Sequence, residues 1–334
     1  MLNVLMHEGT YRRIADRLVA FGDAIRPIIL RNDGQFEAIG EGVLAAPARL
    51  DVGYGTPDVW FTPLASLFVE TLLKADTLDW FQSSAAGTEH PILQAIGGKA
   101  EIYTSSHAQS DAIAEWVLWA GLDWFQRGGD RRAAQVRKDW KRIEFTEIGD
   151  TNWLIVGFGA IGRASAKRLR ALGARVTGVR RTVGPDPNAD AMVQPDDLHD
   201  CLPAADAVLL CCPLTEETEE MANHDFFQAM KPGAFFANVG RGKLVDEAAL
   251  LSALDTGQVA HAALDVVAVE PLPENNPIWS HPRITLTSHL AADTMGAARR
   301  TDDIFLSNLE RFVAQQPLMG VVARSEFAVS PNSS

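Results

Sequence analysis

Trp153-Leu154-Ile155-Val156-Gly157-Phe158-Gly159-Ala160-Ile161-Gly162 is the stretch from which the rest of this 334-residue sequence can be read. Four apolar residues run straight into a G-x-G-x-x-G motif. Ile161, Ala164, Leu169 and Leu172 then recur on one helical face until Gly173 stops the pattern. A strand that turns into a helix through glycines offers an anion the helix's free N–H groups and positive dipole end. The motif therefore predicts a pyrophosphate held by Gly157, Phe158, Gly159, Ala160, Ile161 and Gly162. Gly157 makes the tight turn, Gly159 lets the phosphates approach the backbone, and Gly162 lets the helix pack close to the strand.

Outward from this stretch, apolar strands and amphipathic helices alternate. Strands are expected at Arg175 to Val179, Ala207 to Cys212, Ala234 to Val239, Ala262 to Val266 and Ile284 to Thr287, with a helix at Asp246 to Asp255. Such alternation predicts a doubly wound parallel sheet with right-handed crossovers, a Rossmann domain over residues 111–290. Pro27 to Leu30, Leu64 to Lys74 and Leu78 to Phe81 alternate in the same way. They predict a second, smaller α/β domain of flavodoxin-like type over 1–110. A last long helix, Thr294 to Ala314, is assigned to it, making it discontinuous as 1–110 plus 291–334, and a cleft between the two domains is expected. The polar end Ser330-Pro331-Asn332-Ser333-Ser334 is expected to fray. Asp111 to Arg127 reads as a strongly apolar helix carrying Trp116, Trp119 and Trp124. It serves as core, as a link between domains, or as the surface of a homodimer.

The formal net charge of −13 argues against a nucleic-acid binder, which needs clustered positive charge. The N-terminus lacks the basic start and apolar run of a signal peptide. The longest apolar runs, such as Ala207 to Cys212, are far shorter than the roughly twenty residues that span a bilayer. Three cysteines, two of them the neighbours Cys211 and Cys212, suit a reducing cytoplasm. They read as small buried hydrophobes rather than metal or redox groups, and no His/Cys spacing suggests a metal site.

After the second strand, a protein that binds NAD usually presents an acidic residue to the adenosine ribose. Here the sequence is Val179-Arg180-Arg181-Thr182, and no acidic residue occurs between Gly162 and Pro185. Two guanidiniums in that place could bind a 2′-phosphate, so NADP(H) is favoured. Two solvated surface arginines in an NAD(H) protein are the alternative.

Arg241, Glu270 and His289 each follow an expected strand, in Asn238-Val239-Gly240-Arg241-Gly242, Asp265-Val266-Val267-Ala268-Val269-Glu270-Pro271 and Thr287-Ser288-His289-Leu290-Ala291-Ala292. Reducing a 2-oxo acid requires a cation for its carboxylate, a hydride donor, and an acid for the developing alkoxide. Arg241 can supply the cation, and a protonated His289 the proton. Glu270 can orient the imidazole and stabilise its charge.

In order, spacing and local wording, these segments and the glycine loop resemble the D-isomer-specific 2-hydroxyacid dehydrogenase family, in its glyoxylate/hydroxypyruvate reductase-like branch. The resemblance covers about residues 100 to 300 and is loose before that. It implies an NAD(P)H-dependent reductase of a small 2-oxo acid such as glyoxylate, hydroxypyruvate or pyruvate, with Arg241, Glu270 and His289 catalytic. It also implies cofactor contacts from Cys212, Pro213 and Thr218 in the loop after the third strand, and from Val239, Gly240, Arg241, Asp265, His289 and Ala291. Asp265 would hold the nicotinamide carboxamide, or else simply close its strand.

Substrate contacts are implied for Ala86 and Gly87 of the loop Ala85-Ala86-Gly87-Thr88-Glu89, together with Arg241 and His289. Tyr54 in Tyr54-Gly55-Thr56-Pro57 would form a second wall or a plain surface turn. The corepressor branch of the family keeps the fold and triad while working through partners, so a dinucleotide-sensing interaction protein is the alternative function. The formate dehydrogenase branch carries Gln where Glu270 stands, which argues against that activity.

Overall fold

The computed structural model describes residues 1–327 apart from 86 and 89. The expected fraying at Ser330 to Ser334 and the contact at Ala86 lie outside the described residues. The chain divides into two compact units, Met1–Ala108 with the chain from Thr294, and Gln109–Asp293.

In the first unit the sheet order is β4-β3-β2-β1-β5-β6-β7. Its strands are β1 (Leu2–His7), β2 (Ile25–Leu30), β3 (Phe36–Ala38), β4 (Gly42–Leu44), β5 (Val52–Gly55), β6 (Trp80–Ser83) and β7 (Ile102–Ser105). The run β2-β1-β5-β6-β7 is parallel, the doubly wound order expected of a flavodoxin-like domain. The structure adds an edge that the sequence reading lacks. β3 and β4 form an antiparallel hairpin beside β2, turning through Gly40 and Gly42, both at positive φ. Strands of three residues carry too little periodicity to be recognised.

The second unit holds β8 (Asn152–Val156), β9 (Arg175–Val179), β10 (Ala191–Val193), β11 (Ala207–Leu210), β12 (Ala234–Asn238), β13 (Val259–Leu264) and β14 (Ile284–Leu286). Their order is β10-β9-β8-β11-β12-β13-β14, every pair parallel, and the winding reverses between β8 and β11. This is the Rossmann order with a seventh strand. The strands are apolar throughout because both faces are covered: one buries Leu154, Val208, Phe236 and Leu264, the other Trp153, Ile155, Leu209 and Phe235.

The strand expected over Ala262 to Val266 runs instead from Val259 to Leu264. His261 masks the early start, since a polar residue reads as an interruption. In the fold its ring lies flat on Trp124, with centroids 4.9 Å apart. The strand ends at Leu264, and the next residue, Asp265, still donates its N–H to the Asn238 carbonyl while its carboxylate serves the loop after β14.

Candidate active site

β8 and β11 are paired neighbours between which the winding reverses, the switch point where open α/β sheets bind ligands beyond the strands' carboxyl ends. Gly157 leaves β8 with φ +96°, and a Cβ on it would lie 2.4 Å from the Cys212 nitrogen, so no other residue fits this turn. Gly162 lies against the Gly157 carbonyl and Ile155. Gly159 precedes the helix Ala160–Ala171, no side chain caps that helix end, and a Cβ at Gly159 would meet nothing within 4 Å. An uncapped N-terminus behind an open glycine suits a pyrophosphate. The sequence reading gives the Phe158 backbone, not its ring, to the pyrophosphate. That ring is buried against Gly178, so only the backbone can face a cofactor.

Arg180 is half-buried just past β9, its N–H donating to the Val193 carbonyl at 3.2 Å, while Arg181 and Thr182 are exposed. Among the described residues no carboxylate pairs with either guanidinium. On the other side of the switch point, Pro213 begins a loop closed by its own Thr218. That hydroxyl donates to the Pro213 carbonyl at 2.8 Å and accepts the Thr215 N–H at 2.8 Å. Cys212 and Val239 are buried, so their side chains serve the core beneath these loops.

Three successive loops at this edge carry the polar residues. After β12, Asn238 accepts the Gly240 N–H at 3.0 Å and donates to the Arg241 carbonyl at 2.9 Å, which shapes the turn. The Arg241 guanidinium donates to the Gly240 carbonyl at 2.8 Å. Gly242 adjoins the loop after β13 so closely that a Cβ would fall 1.8 Å from the Val267 carbonyl carbon. Glu270 lies on that second loop and accepts the Val267 N–H through one oxygen at 3.1 Å. Its other oxygen is 2.8 Å from Nδ1 of His289, on the loop after β14, and both side chains are part-exposed. The structure thus joins Glu270 to His289 as one unit and leaves imidazole Nε2 as the nitrogen turned away from the carboxylate.

His289 has φ +56°, a conformation that costs a non-glycine residue about 1–3 kcal/mol and persists only where its surroundings enforce it. Asp265 enforces it. Its carbonyl accepts the His289 N–H at 2.7 Å, and its buried carboxylate accepts the Leu290 and Ala291 N–H groups at 2.9 and 3.1 Å and the Thr287 hydroxyl at 2.5 Å. Sequence reasoning missed this part. An acidic residue at a strand end gives no sign that it will fold a loop twenty-odd residues later.

Tyr54 requires a correction. It is fully buried in the first unit, stacked on Phe305 at 3.9 Å, and its hydroxyl donates to Asp302 at 2.7 Å. Its ring and hydroxyl are both engaged in the core, so it forms no wall for a substrate. Gly87 lies in an irregular loop after β6, whose neighbour Ala85 is tied to Ser83 and Ser105.

A parallel sheet with a glycine loop at its switch point and a carboxylate-backed histidine on the same edge defines the dinucleotide-binding domain of an oxidoreductase. Residues 118–291 match the model of the D-isomer specific 2-hydroxyacid dehydrogenase NAD binding domain, and the chain belongs to that family. Glyoxylate/hydroxypyruvate reductase A of Salmonella newport (strain SL254) is 31% identical over 213 residues, 64% of this chain and 68% of the relative. A D-isomer specific 2-hydroxyacid dehydrogenase family protein from Aeromonas salmonicida subsp. salmonicida A449 superposes with a TM-score of 0.75 at 26% identity, over 96% of this chain and 98% of that one. The NADPH-dependent glyoxylate/hydroxypyruvate reductase of Sinorhizobium meliloti, solved with NADP and sulfate, shares the fold with a TM-score of 0.79 at 22% identity, over 97% and 99% of the two chains.

Proposed function

We propose that this chain reduces a small 2-oxo acid such as glyoxylate, hydroxypyruvate or pyruvate, taking NADPH in preference to NADH. The observation that carries the reading is the 2.8 Å contact between His289 Nδ1 and Glu270, on the sheet edge that also carries the glycine loop. The relatives named as glyoxylate/hydroxypyruvate reductases support the substrate class. The NADP-bound relative supports the coenzyme, as do the Arg180 and Arg181 guanidiniums, which pair with no carboxylate among the described residues.

The bound nicotinamide would supply the hydride. Gly157 to Gly162 would hold the pyrophosphate, Arg180, Arg181 and Thr182 the 2′-phosphate, and the backbone of Pro213 to Thr218 would flank the nicotinamide ribose. Arg241 binds the substrate carboxylate and polarises the carbonyl. With Nδ1 turned to Glu270, His289 holds the transferable proton on Nε2 and delivers it to the carbonyl oxygen as the alkoxide develops. Asp265 fixes the His289 loop by the bonds described, and its carboxylate is left with little capacity for a carboxamide. Residues 111–290 would thus carry the dinucleotide, and 1–110 with 291–334, through Gly87 and its loop, the substrate. We further assign the chain to the cytoplasm, in keeping with its three free cysteines, and to a homodimer.

Oxidation of NADPH and NADH by a panel of 2-oxo acids tests the function. The reading expects turnover with at least one of glyoxylate, hydroxypyruvate and pyruvate, and a higher kcat/KM for NADPH. A chain that binds NADPH and turns over none of them is the dinucleotide-sensing protein instead.

A further inference from the structure

The loop of residues 180–190 joins β9 to β10 and carries Arg180 and Arg181 at its start. Residues 181–185 are exposed, and among the described residues no hydrogen bond or ion pair holds that stretch. The anchor comes next. Asp186 has a side chain only 7% exposed, and its Oδ2 accepts Arg163 Nε at 2.6 Å. Its Oδ1 accepts both the Asn188 N–H at 3.0 Å and the Asn188 side-chain amide at 3.2 Å. Burial alone would raise the Asp186 carboxyl. The Arg163 bond and the Asn188 amides outweigh it and hold the group below the usual carboxylate range, ionised and bound.

Arg163 immediately follows Gly162, so it stands in the first turn of the helix that opens the phosphate loop. Two turns on, Arg170 of the same helix donates to the Pro187 carbonyl and to Asp190 Oδ1. Asp190 in turn accepts the Val176 N–H at 2.8 Å. The loop is therefore fastened at its start by the Arg180 N–H on the Val193 carbonyl and at its far half to the glycine-loop helix, and the exposed stretch between, which begins with Arg181, is left to be positioned by those two fastenings.

We propose that Arg163, acting through Asp186, is a positioning residue for coenzyme choice: the pair sets the 180–190 loop so that Arg180 and Arg181 meet a 2′-phosphate while the glycine loop holds the pyrophosphate. The inference rests on the reading of Arg180 and Arg181 as partners of that phosphate. The 2.6 Å charge-assisted bond runs from a part-exposed Arg163 to a carboxylate that two Asn188 N–H groups also hold, which together form the strut that fixes the loop, and a loop without them would have to be ordered on each binding event. Since NADH has no 2′-phosphate, its binding does not depend on the strut.

The test compares Arg163→Ala, Asp186→Ala and the double variant Arg180→Ala/Arg181→Ala, with KM and kcat measured separately for NADPH and NADH. Both single variants are expected to raise KM for NADPH about tenfold, with kcat and all NADH kinetics within about twofold of the wild type. Unchanged NADH kinetics also show that the variants fold. Asp186→Ala is the discriminating arm. If Arg163→Ala weakens NADPH and Asp186→Ala does not, Arg163 touches the phosphate itself and the strut is refuted. Equal losses for NADPH and NADH in the single variants would reduce the pair to a general structural role, which also overturns the inference. The double variant tests the underlying reading: if it weakens both coenzymes equally, Arg180 and Arg181 do not bind the phosphate. If it is selective for NADPH and the single variants are not, only the strut fails.

Discussion

His261 shows how far one buried side chain can shape behaviour in acid. Its ring lies flat on Trp124, its Nε2 is 2.9 Å from the Thr285 hydroxyl, and burial pushes it down to about 4 despite the nearby Asp123 carboxylate. An unfolded chain would protonate the same residue near the ordinary histidine value of about 6.5. Between those values the unfolded state binds the extra proton, so stability rises with pH across the window. The contribution is fully present above about 6.5 and is lost as pH falls toward about 4. The loss is at most on the order of 3 kcal/mol. His261→Phe keeps the ring and removes the titration. Its melting temperature should fall less steeply than that of the wild type between pH 6.5 and 4.5, and equal slopes would contradict the assignment.

At the scale of the element, the helix Ser110–Phe125 shows why aromatic counts alone mislead. Of its three tryptophans, Trp116 donates its indole N–H to the Thr287 hydroxyl at 3.1 Å and Trp124 covers His261. Both are used inside the second unit, and only Trp119 is largely exposed. The case for a homodimer therefore moves along the chain. Val136 at the end of the helix Gly128–Val136 and Trp140 and Phe145 beyond it are exposed, Trp140 completely so. A single exposed tryptophan needs no covering surface, but three exposed apolar side chains within ten residues are the part of this region that a second copy would cover in the proposed homodimer. Light scattering at micromolar concentration should give twice the chain mass, and Trp119→Glu/Trp140→Glu should halve it. A monomeric wild type would contradict the assembly. The Ala160–Ala171 helix was legible for the opposite reason, since its apolar period and its glycines reported the same boundary.

Across the whole molecule, legibility followed the range of the interaction. Parallel strands buried on both faces announce themselves as continuous apolar runs, which is why the second unit could be read nearly strand for strand. The hairpin β3–β4 could not, being too short to show a period. The polar residues after β12, β13 and β14 were recognisable because each stands directly past an apolar run. Their supports were not: Asn238 shaping the Arg241 turn, Asp265 enforcing the left-handed His289, and Arg163 holding Asp186 are pairings across loops that no local pattern encodes. Tyr54 failed for the same reason, because its partners Phe305 and Asp302 lie about 250 residues away in sequence. The central claim is that the histidine these supports hold in place transfers the proton. It is tested most directly by 2-oxo acid reduction in His289→Ala, with NADPH binding followed in the same preparation. The account expects kcat to fall roughly a hundredfold or more, with NADPH affinity unchanged, since the glycine loop and the arginines remain. Near-normal turnover alongside intact NADPH binding would remove His289 from the mechanism.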